Sequence, residues 1–268
     1  MKGIGIKSRE RLARVLRKTG GAISPSDVAA ILTISNPQAS KLLSFWANQG
    51  WVKRVHRGLY IPVPLDSLTE EIAPEDPWII AERLFSPCYI GGWSAAEHWD
   101  LTEQIFSSVM VFTIRRPRQR EQDAGGVRFH LRTTSESHFF GLKTVWRGKI
   151  KVQVSDPSRT IIDFLDNPRV GGGIRNITDH FNNYLKSKHR NIDELLNFAK
   201  LIGNATVFKR LGFLLERYQP EETAAVEECL RHLPEGNSKL DPDLPKDGLI
   251  TKWKLWVPAS WQERASND

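Results

Sequence analysis

The chain has 268 residues, is 40% hydrophobic with nine Trp, and carries a formal net charge of +7, which is length and apolar content enough for two domains with a sizeable core. No run approaches 18 apolar residues, and the start MKGIGIKSRERLARVL alternates charge with apolar side chains, so neither a membrane span nor a signal peptide is indicated. Cys88 and Cys229 stand outside any CxxC or Cys/His ligand spacing, which fits a reduced, cytoplasmic protein and argues against a structural zinc site.

The charge is concentrated at one end. Residues 1–64 hold eleven Lys and Arg against two acids, Glu10 and Asp27, so the rest of the chain sums to a slightly negative charge. A local cationic surplus on helical segments is the electrostatic footprint of phosphate binding, because each cation placed on a duplex releases a condensed counterion. Ser8 to Lys18 reads as an amphipathic helix, with Leu12, Val15 and Leu16 at helical spacing and Arg9, Arg14, Arg17 and Lys18 elsewhere on its surface. Gly20-Gly21 stop it. Ser24-Pro25 opens a second helix carrying Val28, Ala29, Ile31 and Leu32, and Asn36-Pro37 opens a third. In the third, Ala39, Leu42, Leu43 and Trp46 form one apolar stripe, which turns Lys41, Ser44 and Asn48 outward and leaves Gln38 and Ser40 on the flanks.

After Gly50, the segments 51–55 and 59–61 read as two short strands around His56-Arg57-Gly58. Three short helices and a basic hairpin follow the order of a winged helix-turn-helix, expected over residues 1–64. In that architecture the third helix enters the major groove and the hairpin lies on the backbone or in the minor groove. Gln38 and Lys41 suit base edges, with Ser40 and Ser44 beside them, while Lys53, Arg54, His56 and Arg57 suit the backbone. The bland reading of the same residues is a packing module whose charges only solvate it. Charge, helix order and basic hairpin agree independently on the DNA-binding one.

Four prolines between residues 62 and 77 favour extended chain, so a linker is expected at 65–77 and a second domain at 78–233. Helices are expected near 78–85 and 94–99, strands near 108–114, 126–131, 139–145 and 150–154, then helices at 157–165, 174–187, 192–202, 205–218 and 221–231. A Pro- and Trp-rich tail follows at 234–268. The fold class expected is α+β: a winged helix-turn-helix, then a mixed domain with its sheet in the first half and helices in the second.

The enzymatic patterns tested fail on spacing. Two residues before Lys143, Lys149 and Lys151 stand Gly141, Arg147 and Lys149, so the carboxylate a metal-dependent nuclease needs there is absent. Gly91-Gly92-Trp93-Ser94 mimics half of a nucleotidyltransferase motif, but the strand SSVMVFTIRRP carries no acid. Asp156 reads as a helix N-cap and Arg159 with Asp163 as an i,i+4 pair. His98, His130, His138 and His180 lack partners at ligand spacing. No catalytic residue, cofactor or metal is therefore expected. The tryptophans are first of all core filling, and any exposed ones would suggest a protein interface.

The order of parts resembles the AbiEi-type antitoxins of type IV abortive-infection toxin–antitoxin systems. The resemblance is carried by RVHRGLYIPVP, YIGGWSAAEHWDLTEQ, VSDPSRTIIDFLDNP and FKRLGFLLE, which are spread over most of the span 40–220. Gly58 with Tyr60, Gly91-Gly92 with Ser94, and Asp156-Pro157 with Arg159 and Asp163 are the matching positions, and the resemblance implies scaffold roles for them. It also implies an N-terminal domain that represses its own operon through promoter inverted repeats in double-stranded DNA, and a C-terminal domain that neutralises a cognate toxin of nucleotidyltransferase fold. Two other classes stand beside it: a solitary winged-helix regulator with a sensing or dimerising domain, and a DNA-targeted enzyme.

Overall fold

A computed structural model describes residues 6–19, 21–63 and 76–262. Lys2, Gly20, residues 65–75 of the expected linker and the last six residues of the tail lie outside them. The protein is mixed α+β. The described residues divide into two compact units, the first drawn from Met1–Ile90, Ser107–Thr134 and Thr144–Gln153, the second from Gly91–Phe106, Ser135–Lys143 and Val154–Asp268.

The first unit begins with α1 (Ile6–Thr19), α2 (Pro25–Leu32) and α3 (Asn36–Asn48), followed by the antiparallel hairpin β1 (Val52–His56) and β2 (Leu59–Pro62). Leu12, Val15, Val28, Ala39, Leu43 and Trp46 form one core with Trp51, Val52 and Tyr60 of the hairpin, so the helical stripes meet as their spacing requires. Ile23, between α1 and α2, exchanges two backbone hydrogen bonds with Tyr60, at 2.7 and 2.9 Å. That bridge ties the hairpin to the connection between α1 and α2.

The unit continues with α4 (Pro77–Phe85), capped by Asp76, whose Oδ1 accepts from the Trp78 amide at 2.9 Å. Its strands are β3 (Cys88–Ile90), β4 (Ser108–Thr113), β5 (Glu121–Ala124), β6 (Val127–Thr133), β7 (Leu142–Arg147) and β8 (Ile150–Ser155), ordered β5-β6-β4-β3-β8-β7. The last two straddle the division between the units. β4 lies parallel to β6 and antiparallel to β3. Five of its six residues are buried, the pattern of a strand covered on both faces. α4 packs on β3 and β4, where the Thr113 hydroxyl donates to the Phe85 carbonyl at 2.7 Å and Phe85 meets Phe129 edge-on. Two bonds tie α4 to the helical segment: Arg83 reaches Asp27 at 3.3 Å and the Thr19 carbonyl at 3.5 Å.

The second unit contains α5 (Gly92–His98), α6 (Pro157–Asp166), α7 (Ile174–Lys186), α8 (Ile192–Leu201), α9 (Thr206–Tyr218) and α10 (Thr223–Arg231), with β9 (Ser238–Lys239), β10 (Gly248–Ile250) and β11 (Leu255–Val257). α6 is the hub, touching α5, α7, α8 and α9 and burying every residue from Pro157 to Leu165. Its Arg159 and Asp163 are 1% and 3% exposed and pair at 2.9 Å. The expected tail is part of this unit. β9, β11 and β10 form a small sheet, and the fully buried Trp253 lies so close to Gly212 of α9 that a methyl group there would overlap its ring. Lys209 donates to the Gly236 carbonyl, and Arg210 donates to that of Lys239 at 2.9 Å. Burial lowers the pKa of the Arg210 guanidinium to about 10. Both cations thus tie α9 to the backbone of the tail.

Candidate nucleic-acid interface

The outward face of α3 is set by its caps and its apolar stripe. Ser35, rather than Asn36, is the N-cap, so Asn36-Pro37 fills the first two helical positions. The Ser35 hydroxyl accepts from the Gln38 amide nitrogen at 3.4 Å, and Gln38 Oε1 accepts from the Ser35 amide at 3.0 Å, closing a capping box. With Ala39, Leu43 and Trp46 buried, Gln38, Ser40, Lys41, Ser44 and Asn48 are all exposed. One end of the Gln38 side-chain amide is thus held in the cap, so a bidentate fit to adenine, which uses both ends, competes with it.

The hairpin follows α3 directly. Gly50, at φ +75°, reverses the chain, and the Trp51 amide donates to the Trp46 carbonyl at 3.0 Å. Phe45 meets Trp51 edge-on at 5.9 Å, which holds the end of α3 against the start of β1. Arg57-Gly58 makes the turn, with Gly58 at φ +78°, a conformation that favours glycine. The ladder slips between Arg54 and His56, as a β-bulge does. Lys53, Arg54, His56 and Arg57 are all exposed. Arg54 Nε donates to the His56 carbonyl at 3.4 Å, and His56 Nδ1 lies 3.2 Å from the Arg57 carbonyl. Arg54 and His56 are in this way steadied by the turn they flank.

Among the described residues, Lys41, Lys53, Arg54 and Arg57 have no carboxylate partner. That contrasts with Arg83, Arg147, Arg159, Arg169 and Arg190, each ion-paired. All eight residues expected to touch DNA thus belong to one short stretch of two consecutive elements, exposed and cationic on balance. Chemically, such a surface can attract a polyanion and offer donors to it.

The other constellations have structural occupations. The Asp156 side chain caps α6, accepting from the Ser158 amide at 2.9 Å. Ser158 Oγ donates to Glu194 at 2.8 Å and lies 2.9 Å from the Tyr184 hydroxyl, and the residue is fully buried. Burial pushes the thiol of Cys88 up and that of Cys229 up to about 12. No three His, Cys, Asp or Glu side chains among the described residues gather as a metal site. No helix among them is long and apolar enough to cross a membrane. Of the tryptophans, Trp146 is 60% exposed, with the Lys151 ammonium 5.0 Å from its ring centroid. No protein-family model matches the chain, and no curated protein sequence matches it.

Proposed function

We propose that residues 6–63 act as a winged helix-turn-helix that binds double-stranded DNA, with α3 in the major groove and the β1–β2 hairpin on the backbone. The observation that carries this reading is the run of exposed cations, Lys41, Lys53, Arg54 and Arg57, without carboxylate partners on α3 and the hairpin that packs against its end. Lys41 is the base reader, with Ser44 and Ser40 beside it. Gln38 serves the cap first and offers its free Nε2 to the groove. Lys53, Arg54 and Arg57 hold phosphates, and His56 braces the turn.

On the resemblance to AbiEi-type antitoxins, the DNA is the inverted repeat of the protein's own promoter, and the second unit neutralises a toxin of nucleotidyltransferase fold in the cytoplasm. The scaffold positions Asp156, Arg159 and Asp163 are spent on capping and pairing within α6, which supports a binding rather than a catalytic role. Replacing Lys53, Arg54 and Arg57 together by Ala in the full chain should weaken binding to any duplex. The slope of log affinity against log salt should fall by about 0.9 for each phosphate that the variant no longer neutralises. An unchanged slope removes the hairpin from the interface. Co-expression with the product of the neighbouring reading frame tests the toxin pairing: restored growth is expected, and continued growth arrest refutes it.

A further inference from the structure

The four basic residues assigned to α3 and the hairpin account for fewer than half of the cations in the N-terminal segment. Lys7, Arg11, Arg14 and Arg17 recur every three or four residues along α1, which places them on one side of the helix. All four are exposed, while Leu12 and Val15 face the core. They line a groove of about 610 Å³ whose remaining walls include Leu32 and Ile34. Those two residues flank the turn between α2 and α3, and Ile34 directly precedes the N-cap Ser35. The groove therefore runs up to the point where α3 begins.

A downstream residue lengthens this surface. Lys149, in the turn between β7 and β8, donates to the Arg17 carbonyl at 3.2 Å, in the last turn of α1, where helix carbonyls lack intrahelical partners and the helix dipole is negative. Its ammonium is thereby fixed at the end of the row. Among the described residues, Glu10 is the one carboxylate lining the groove. Asp27, the other acid of the segment, is already held by Arg83 and by Ser24. Like charges at helical spacing repel, and a single carboxylate leaves most of this row uncompensated.

We infer that this groove, extended by Lys149, is a second phosphate-binding track, engaging the backbone of the same duplex that α3 reads. The inference rests on the DNA-binding reading above and adds a site to it. The shape favours a polymer over a small anion, because the cations are spread in a row instead of converging on one point. Ten residues of helix separate Lys7 from Arg17, about 15 Å of rise. One DNA strand carries a charge about every 3.4 Å of axis, so the row spans about four phosphates.

The test uses the full chain, a mixed-sequence DNA duplex and a salt titration. Two variants are compared with the unmodified protein: Lys7→Gln/Arg11→Gln/Arg14→Gln, and Lys149→Gln, which keeps a donor for the Arg17 carbonyl while removing the charge. The salt slope should fall by about 2–3 for the triple variant and by about 0.9 for Lys149→Gln. If the triple variant misfolds by circular dichroism, the slope of Lys149→Gln decides alone. Unchanged slopes, with the Lys53/Arg54/Arg57 variant still reducing its own, overturn the track and leave the α3 reading standing. Absence of duplex binding by the unmodified protein overturns both. Loss of binding to vesicles of anionic phospholipid, with the duplex slope unchanged, assigns the groove to a lipid surface and also overturns the inference.

Discussion

Arg159 illustrates what a single residue does in the second unit. Its guanidinium is 1% exposed, bonded through Nε to Asp163 at 2.9 Å and through Nη1 to the Phe140 carbonyl at 3.4 Å, and it lies 3.9 Å from the Phe140 ring centroid. Two charges in so dry a place recover their desolvation cost only because each has its partner. Asp163→Ala leaves the guanidinium buried without its counter-charge and should destabilise the protein by about 3–5 kcal/mol. Replacing both residues together by Met and Leu should cost less. Urea unfolding of the single and double variants checks this: equal losses would mean that side-chain volume, and not charge pairing, governs the site. The Arg159–Asp163 pair in this light contributes to the stability of α6.

At the scale of elements, α3 is held in place by its first turn. Ser35→Ala removes the cap acceptor and should cost about 1 kcal/mol. Gln38→Glu keeps the S-x-x-E form of the capping box and should leave stability unchanged, while the added carboxylate weakens duplex binding. Thermal melts together with duplex titrations separate the two effects. If Gln38→Glu binds as well as the unmodified protein, this end of α3 does not face phosphate or base edges. Helices are legible wherever an apolar stripe is long enough to impose a period: α7, α9 and α10 fall within two residues of their expected bounds. The start of α3 reads one residue late in the sequence because Asn36 is itself a good cap. β3 is three residues long, too short for alternation to register. β5 (EQDA) is polar, and only the Gly125-Gly126 turn after it, at φ +62° and +81°, marks a hairpin. The outward face of α3 follows from its stripe, whereas the approach of Lys149 to α1 spans 132 residues and no local pattern encodes it.

For the whole molecule, charge by position in sequence differs from charge by position in space. Counting along the chain sets a basic segment apart from a mildly acidic remainder, yet the first compact unit combines α1–α3 and the hairpin with α4 and the sheet. Arg83 and Lys149 both reach the helical segment from the remainder. The tail likewise belongs to the second unit, held by Trp253 on Gly212 and by the buried Lys209 and Arg210. Composition marks it only as rich in Pro and Trp because its strands are two or three residues long. Sequence-specific DNA binding through α3 is the proposed function in its most demanding form. A titration of the full chain and of Lys41→Ala against the duplex upstream of its own reading frame and against a scrambled duplex, at one salt concentration, tests it. The full chain should prefer the upstream duplex by at least about 10³-fold, and Lys41→Ala should lose about 1–3 kcal/mol on that duplex and little on the scrambled one. Equal affinity of the unmodified protein for both duplexes, or none for either, would contradict it.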